Sequence, residues 1–194
     1  VLYIPRAAPV GVMEDENSVL IKKPYSGAMA SKIMGVNYSD VRVLNTFEEN
    51  LRFKTDPQNE LLQKGVTNAD FDDSDWKTIS SLDWWQMQGY PDYHGVAWYR
   101  VKFTAKPLKK GERARLYFGA VDGDTVVYLN GKKLTEHILG ENYKGWDSPF
   151  SSSVTSAMQP GENTLVVKVT SKNNTTASGI FKGIAIVAGT PIQP

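Results

Sequence analysis

The chain has 194 residues, with 22 basic side chains, 21 acidic side chains, 2 His and no Cys. The near-neutral balance disfavours nucleic acid or an anionic membrane as a partner, and the lack of Cys excludes disulfides and thiolate metal sites. A (β/α)₈ barrel needs about 250 residues, so this length does not hold a barrel beside another domain.

The first 42 residues differ from the rest in being interrupted by Pro and Gly, with only brief apolar runs such as Val19-Leu20-Ile21. We expect residues 1–42 to form an irregular arm or linker that packs on the following domain and adds at most an edge strand. Because the chain begins with Val1 rather than Met, we also expect it to be a piece of a longer protein. Residues 43–194 then form the domain itself. A short helix is considered between Leu51 and Leu62, where Pro57 would either break it or start it.

Beyond the arm, short apolar runs separated by turn residues predict an all-β domain. Tyr99, Val101 and Phe103 share one face of a strand, with Arg100 and Lys102 on the other. The same alternation recurs in four later segments, at Leu116, Phe118 and Ala120, at Val127 and Leu129, at Leu165, Val167 and Val169, and at Ile184, Ile186 and Ala188.

Two turns are predicted from local chemistry. Asn130-Gly131 is the strongest hairpin signal in the chain, because both residues tolerate the positive φ that a two-residue turn requires. Residues 159–163, with Pro160-Gly161 at their centre, predict a second turn before the strand that carries Leu165.

The acidic run over residues 69–76 first suggests a calcium loop, but the places where an EF-hand needs Gly and Glu hold other residues. We therefore expect Asp72 or Asp73 to cap a short helical turn, with Trp76 in the core. Trp98 is likewise expected to be a core residue.

Six motifs follow one another along the chain: Phe71-Asp72-Asp73-Ser74 with Trp76, Gly95 to Arg100, Phe118 to Asp122, Val127 to Lys132, Pro160 to Leu165 and Gly179-Ile180-Phe181-Lys182. In this order they resemble the sugar-binding β-sandwich domain of the family 2 glycoside hydrolases, the β-galactosidase and β-glucuronidase group. The match covers about residues 43 to 190. The resemblance implies an all-β antiparallel jelly-roll β-sandwich of the galactose-binding type, in an extracellular or periplasmic protein, and a structural calcium ion is common in this fold.

Two positions depart from the family pattern. The family usually has Arg after the closing aromatic residue, where this chain has Lys182, which lacks a bidentate fork. The preceding loop, residues 171–176, contains no carboxylate, whereas the family often supplies an acidic residue there towards the substrate.

Pyranose rings have apolar faces, so a sugar site combines aromatic planes with amides or carboxylates for the hydroxyl groups. Two loops supply these groups, and they form one aromatic platform if they share an end of the sandwich. One indole of the pair Trp84 and Trp85 is expected to face inward. For Tyr90 and Tyr93, the alternative to contact with a sugar is that they pack the loop itself. The candidate carbohydrate-binding residues are Trp84, Trp85, Gln88, Tyr90, Asp92, Tyr93 and His94 in the first loop, and Asn142, Tyr143, Trp146 and Asp147 in the second.

Catalytic signals are weak. With two His there is no imidazole-rich metal site, and no Ser lies in a Gly-x-Ser-x-Gly elbow. Asp122 and Asp124 share one face, whereas glycoside hydrolysis needs opposed carboxyl groups. We predict no catalytic residues and no cofactor beyond the calcium that the resemblance allows.

The sequence therefore favours a non-catalytic module that binds an oligosaccharide or polysaccharide and is attached to a catalytic domain. Its partners are a carbohydrate and that domain, with no nucleic acid and no membrane. Two alternatives remain open: an accessory domain that packs on a glycosidase barrel without binding sugar, and a protein-interaction sandwich.

Overall fold

Two antiparallel sheets form the framework of the computed structural model, which describes residues 27–171 and 177–192. The first sheet has four strands, in spatial order β1 (Tyr38–Thr46), β12 (Ile184–Pro191), β5 (Arg113–Phe118) and β9 (Phe150–Ser153). The second sheet has six strands, in spatial order β3 (Lys77–Ile79), β2 (Leu51–Thr55), β4 (Val96–Thr104), β10 (Glu162–Thr170), β7 (Asp124–Leu129) and β8 (Lys132–His137). A two-residue pair, β6 (Val121–Asp122) and β11 (Gly179–Ile180), lies beside them.

The core lies between the sheets and is built from the alternating residues of each strand. Tyr99 and Phe103 of β4 are buried there with Leu165, Val167 and Val169 of β10. The inward faces predicted for the segments around Leu116, Val127, Leu165 and Ile184 all contribute to this one cluster. The predicted all-β antiparallel sandwich is confirmed.

The hairpin predicted at Asn130-Gly131 joins β7 to β8. Asn130 and Gly131 have φ values of 52° and 80°, and the flanking Leu129 and Lys132 face each other across the turn. The Asn130 side chain then donates to the Ala157 carbonyl, which ties the hairpin to the turn before β10.

The described part of the N-terminal segment contains a helix, α1 (Gly27–Met34), and the edge strand β1. Ala30 and Met34 of α1 pack on Val187, on the outer face of β12. Of the predicted arm over residues 1–42, residues 1–26 lie outside the described residues. Strand β1 runs across the predicted boundary between residues 42 and 43.

The helix considered between Leu51 and Leu62 is wrong, because Leu51–Thr55 is strand β2. Leu51 and Phe53 alternate with polar neighbours and are both buried, which is a strand period rather than a helical one.

The outer face of the six-stranded sheet is covered by residues 56–76. Trp76 packs there against Trp98, so both indoles are buried as expected, but in a second cluster outside the main core. Asp72 accepts a hydrogen bond from the backbone N–H of Ser74, in a turn rather than a helix.

Arg100 lies on the opposite face of β4 from Tyr99, as the alternation predicts, but it is fully buried. Its guanidinium pairs with Asp73 at 2.8 Å and donates to the carbonyls of Val66, Asn68 and Phe71. The buried Arg100 side chain thus bonds to four residues of the covering segment.

In residues 27–171 and 177–192, none of the helices has the length and apolar character needed to cross a membrane.

Candidate functional site

Both loops that carry the candidate sugar-binding residues lie at one end of the sandwich. Thr170, the last residue of β10, faces Val96 at the start of β4 and Asp124 at the start of β7. Next to it, Thr125 faces His137, the last residue of β8. Residues 80–95 lead into β4 and residues 138–149 follow β8, so the two loops share this end, which we call the loop end.

Three aromatic rings form a stack at the loop end. Phe181 lies 4.9 Å from Trp84 and 5.7 Å from Trp146 between ring centroids, with interplanar angles of 25° and 21°. Phe181 is buried, whereas both indoles are half-buried. We call Trp84, Phe181 and Trp146 the surface stack. It joins one indole from each predicted loop, through a ring that belongs to neither.

Backbone hydrogen bonds bring the first loop against the segment that carries Phe181. The N–H of Gly183 donates to the Ser81 carbonyl at 2.8 Å, and the N–H of Trp85 donates to the Ser178 carbonyl at 3.1 Å. The two bonds pair residues 178–183, which contain Phe181, with residues 81–85, which contain Trp84. The backbone therefore places the two rings next to each other.

Gln88 fixes the shape of the first loop from within. Its side-chain amide donates to the carbonyls of Ser80 and Asp83 at 3.1 and 2.7 Å, and its oxygen accepts from the N–H of Ser80 at 2.7 Å. Because these bonds already use both ends of the amide, Gln88 positions Trp84 rather than presenting free groups to a ligand.

Trp85 is not a surface ring. It has 0% exposure, packs against Phe53, and donates its indole N–H to the Tyr93 carbonyl at 3.1 Å. The prediction that this side chain contacts a ligand is therefore corrected. The expectation that one indole of the pair faces inward is met by Trp85. This residue begins a short 3₁₀ helix over Trp85–Gln88, whereas Trp84 just before it has an extended backbone.

Tyr90 and Tyr93 follow the alternative reading, in which they pack the loop. Tyr90 contacts Phe53 edge-on at 4.8 Å, and the Tyr93 hydroxyl donates to the Val96 carbonyl. Burial raises the pKa of both phenols, so both stay neutral. Both rings are partly exposed, but their main contacts are with the core.

The remaining candidates differ in how exposed they are. Asp92 and Asp147 are exposed, His94 is half-buried, and Tyr143 is half-buried with a left-handed φ of 60°. The Asp147 carbonyl accepts a hydrogen bond from Lys182 at 3.4 Å, and the same ammonium lies 5.5 Å from the centre of the Phe181 ring. The side chain of Asn142 lies outside the described part of the structure.

Among the residues that the structure describes, two polar atoms at the loop end are buried with no hydrogen-bond partner, the indole N–H of Trp84 and Nδ1 of His94. A buried donor without an acceptor costs about 1–3 kcal/mol. Trp84 therefore has a donor that gains from any acceptor able to reach it.

Phe181 is the residue that sequence reasoning did not assign to the site. Its only signal was the closing Gly179-Ile180-Phe181-Lys182 motif, which indicated the fold. The tertiary structure makes this ring the point where the two loops meet.

The structural calcium ion that is common in this fold stays a prediction. Within residues 27–171 and 177–192, no three His, Asp or Glu side chains converge on one point. Asp124, one of the two carboxylates considered for chemistry, accepts the N–H of Leu139 at 2.8 Å and so has a structural use.

Comparison with known sequences finds glycosidases that are much longer than this chain, and the chain resembles a small part of each. No protein-family model matches the chain. It is 30% identical to a β-galactosidase of Thermoanaerobacter pseudethanolicus over 114 residues, which cover 54% of this chain and 14% of that protein. It is 27% identical to a putative β-glucuronidase of Formosa agariphila over 188 residues, which cover 87% of this chain and 14% of that protein. Across the curated relatives it matches, the chain spans between 13% and 19% of their length.

Solved structures give the same fold. A β-glucuronidase of an uncultured Clostridium superposes with a TM-score of 0.65 at 23% identity, over 80% of this chain and 30% of that one. A β-glucuronidase of Bacteroides uniformis superposes with a TM-score of 0.63 at 23% identity, over 77% of this chain and 18% of that one. The resemblance to the sandwich domain of the family 2 glycoside hydrolases is confirmed.

Proposed function

We propose that this chain is a non-catalytic accessory domain of a family 2 glycoside hydrolase, and that it binds a saccharide against the indoles of Trp84 and Trp146. One observation carries the proposal: the surface stack places a half-buried indole from each of two loops on the same ring, Phe181. The parent enzyme's activity is part of the proposal, supported by relatives of which the chain covers only a small share.

Preorganisation supports this role. An indole held by stacking and by a bonded loop loses little side-chain entropy when a ligand arrives, so more of the contact energy appears as affinity. Each indole also has an N–H at its edge, which suits a ligand with an apolar face and hydroxyl groups around its rim. In Trp84 this N–H is buried and lacks a hydrogen-bond partner among the described residues, so a movement of the ring that exposes it would let it donate to a sugar hydroxyl.

The groups around the surface stack suit recognition rather than bond cleavage. Hydrolysis needs an acid and a second carboxylate on opposite sides of the sugar. Asp124 is committed to the Leu139 backbone, and exposed Asp92 and Asp147 are available to accept hydrogen bonds from hydroxyl groups.

Calorimetric titration of the purified chain with oligosaccharides, chosen by a glycan array, tests the proposal. We expect Trp84→Ala and Trp146→Ala each to weaken binding at least tenfold, in keeping with about 1.4 kcal/mol of lost contact. Leu62→Ala is the matched control, because Leu62 is an exposed apolar side chain in residues 56–76, which cover the outer face of the six-stranded sheet. The Leu62→Ala variant should bind like the wild type.

Binding that survives both Trp substitutions would show that the saccharide sits elsewhere. A second function, packing on a catalytic domain without sugar binding, is favoured by Met87 and Ile138, which are 60% and 53% exposed at the loop end. Absence of all glycan binding, with a folded chain, would support that function instead. Release of reducing ends by pure protein would refute the non-catalytic part of the proposal.

A further inference from the structure

The loop that carries Trp146 is held mainly by short-range backbone bonds. The N–H groups of Lys144, Trp146 and Ser148 donate to carbonyls three residues earlier, at 3.1 to 3.2 Å. Tyr143 adopts φ of 60°, a conformation that costs a non-glycine residue about 1–2 kcal/mol. Lys182 donates to the Asp147 carbonyl at 3.4 Å, and an anchor on the other side of Trp146 completes the hold on this loop.

His137 has the geometry of that anchor. It is the last residue of β8, and its ring stacks on Phe150 at 4.5 Å with an angle of 6°. Phe150 in turn stacks on the buried ring of Phe118 at 4.7 Å with an angle of 7°. We call His137, Phe150 and Phe118 the inner stack, and it ties the imidazole plane to the core.

From this fixed position, His137 reaches into the loop. Its Nε2 lies 3.3 Å from the carbonyl oxygen of Gly145, the residue immediately before Trp146. A carbonyl oxygen only accepts, so Nε2 is the protonated nitrogen that donates this bond. Gly145 itself has φ of 99° and sits close enough that an added Cβ would meet the imidazole at 3.5 Å.

We propose that His137 is a positioning residue for saccharide recognition: its Nε2–H holds the Gly145 carbonyl and thereby presents Trp146 on the surface stack. This inference rests on the proposed saccharide site. At the start of the same loop, Asp124 holds the N–H of Leu139, so the two side chains fix the loop at its beginning and near its middle.

A competing explanation is that His137 only fills space beside Phe150. The two explanations predict opposite orders for two substitutions. His137→Phe keeps a flat ring on Phe150 but removes the donor. His137→Gln loses the ring, but its amide nitrogen stands near the place of Nε2 and restores an N–H for Gly145.

Hydrogen–deuterium exchange of the segment over residues 139–148 reports loop order without any sugar. We expect His137→Phe to speed exchange of the Trp146 and Ser148 amides on the order of tenfold, and His137→Gln to keep more of the protection. Glu136→Gln, at the neighbouring exposed position of β8, is the matched control and should leave exchange unchanged.

Saccharide affinity gives the second readout. We expect His137→Phe to weaken binding on the order of tenfold, with His137→Gln retaining more of it. In a Trp146→Ala background, His137→Phe should add little further loss, because the two residues act through one contact.

The outcomes separate this inference from the proposed function. If wild-type protein binds sugar and His137→Phe changes neither exchange nor affinity, the positioning role is wrong and the saccharide site stands. A second outcome is that the wild-type protein binds no sugar, while His137→Phe still speeds exchange of the loop amides more than His137→Gln does. The saccharide site and the role of His137 in recognition would then be wrong. The role of His137 as an anchor of Trp146 would stand. A smaller effect from His137→Phe than from His137→Gln would identify His137 as a packing residue.

Discussion

The Trp84 indole and the Phe181 ring are stacked with centroids 4.9 Å apart and planes inclined by 25°, although 97 positions separate them in the chain. The contact exists because Gly183 and Trp85 bond to Ser81 and Ser178, which lays the two segments side by side. Phe181 also stacks on Trp146, so removal of this one ring affects both indoles.

Phe181→Leu tests that dependence. The substitution roughly conserves volume, but it removes two ring contacts that contribute about 0.5–1.5 kcal/mol each, so we expect the free energy of unfolding to fall by about 1–3 kcal/mol. Chemical denaturation measures this change, and near-ultraviolet circular dichroism should show altered Trp signals. Ile180→Leu, at the neighbouring core position, is the control and should leave the Trp signals in place. An unchanged Trp spectrum in Phe181→Leu would argue against the surface stack.

Gly179→Ala is expected to be strongly destabilising. Gly179 has φ of 106°, and an added Cβ would lie 2.5 Å from the Tyr99 hydroxyl oxygen and 3.0 Å from the Trp85 ring, both buried. We expect a loss of about 3 kcal/mol or more from overpacking and backbone strain together.

Gly111→Ala isolates the backbone part of that cost. Gly111 has φ of 87°, and no atom of the described residues lies within 4 Å of an added Cβ, so we expect a loss of only about 1–2 kcal/mol. Thermal unfolding of both variants measures the difference, and equal losses would show that the close approach to Tyr99 has no energetic consequence.

Arg100→Met probes the buried cation under residues 56–76. The substitution leaves the Asp73 carboxylate unpaired and three carbonyls without their donor, so we expect a loss of about 3–5 kcal/mol. Lys102→Met is the matched control two residues along the strand, because its pair with Glu162 is exposed, and we expect a change within about 0.5 kcal/mol. Urea denaturation compares the two, and similar small losses would contradict the assigned role of Arg100.

The ion pair between Arg42 and Glu112 makes stability depend on pH. Hydrogen bonding from Arg42 lowers the pKa of Glu112 from 4.5 to about 2, against the opposing effect of burial. Because the folded pKa lies below the unfolded pKa, this contribution is complete above about pH 4.5 and is lost as the pH falls towards 2. We expect it to amount to on the order of 2 kcal/mol, since Arg42 is partly exposed to solvent.

Glu112→Gln should therefore flatten the stability profile between pH 5 and pH 2, as measured by urea denaturation at several pH values. Glu136→Gln removes an exposed pair with Lys133 and should leave the profile unchanged. A profile for Glu112→Gln that parallels the wild type would show that another group carries the acid sensitivity.

The strand pattern was predictable because one face of each core strand must be apolar. Tyr99 and Phe103, and the alternating residues of β10, required a sandwich interior, and Asn130-Gly131 required a tight hairpin. The short helix α1 was not predicted, since eight residues give little periodicity. A short helix was considered where β2 lies, although the alternation at Leu51 and Phe53 favours a strand.

The site was predictable in part. Trp84 and Trp146 were identified from local composition, but so were Trp85, Gln88, Tyr90 and Tyr93, whose side chains turn to the core or to the loop backbone. The composition of a loop does not show whether its aromatic side chains face solvent, because that depends on which residues from distant parts of the chain pack against them. Phe181 and His137 were missed for the same reason.

Period, turn chemistry and residue type act over a few neighbouring positions, so the strands, the hairpin and the supply of rings could be inferred from the sequence. The position of Phe181 between Trp84 and Trp146, and the burial of Arg100, could be seen only in the folded chain. Both depend on contacts between segments far apart in the chain, whose geometry is set by packing of the whole sandwich rather than by any local preference.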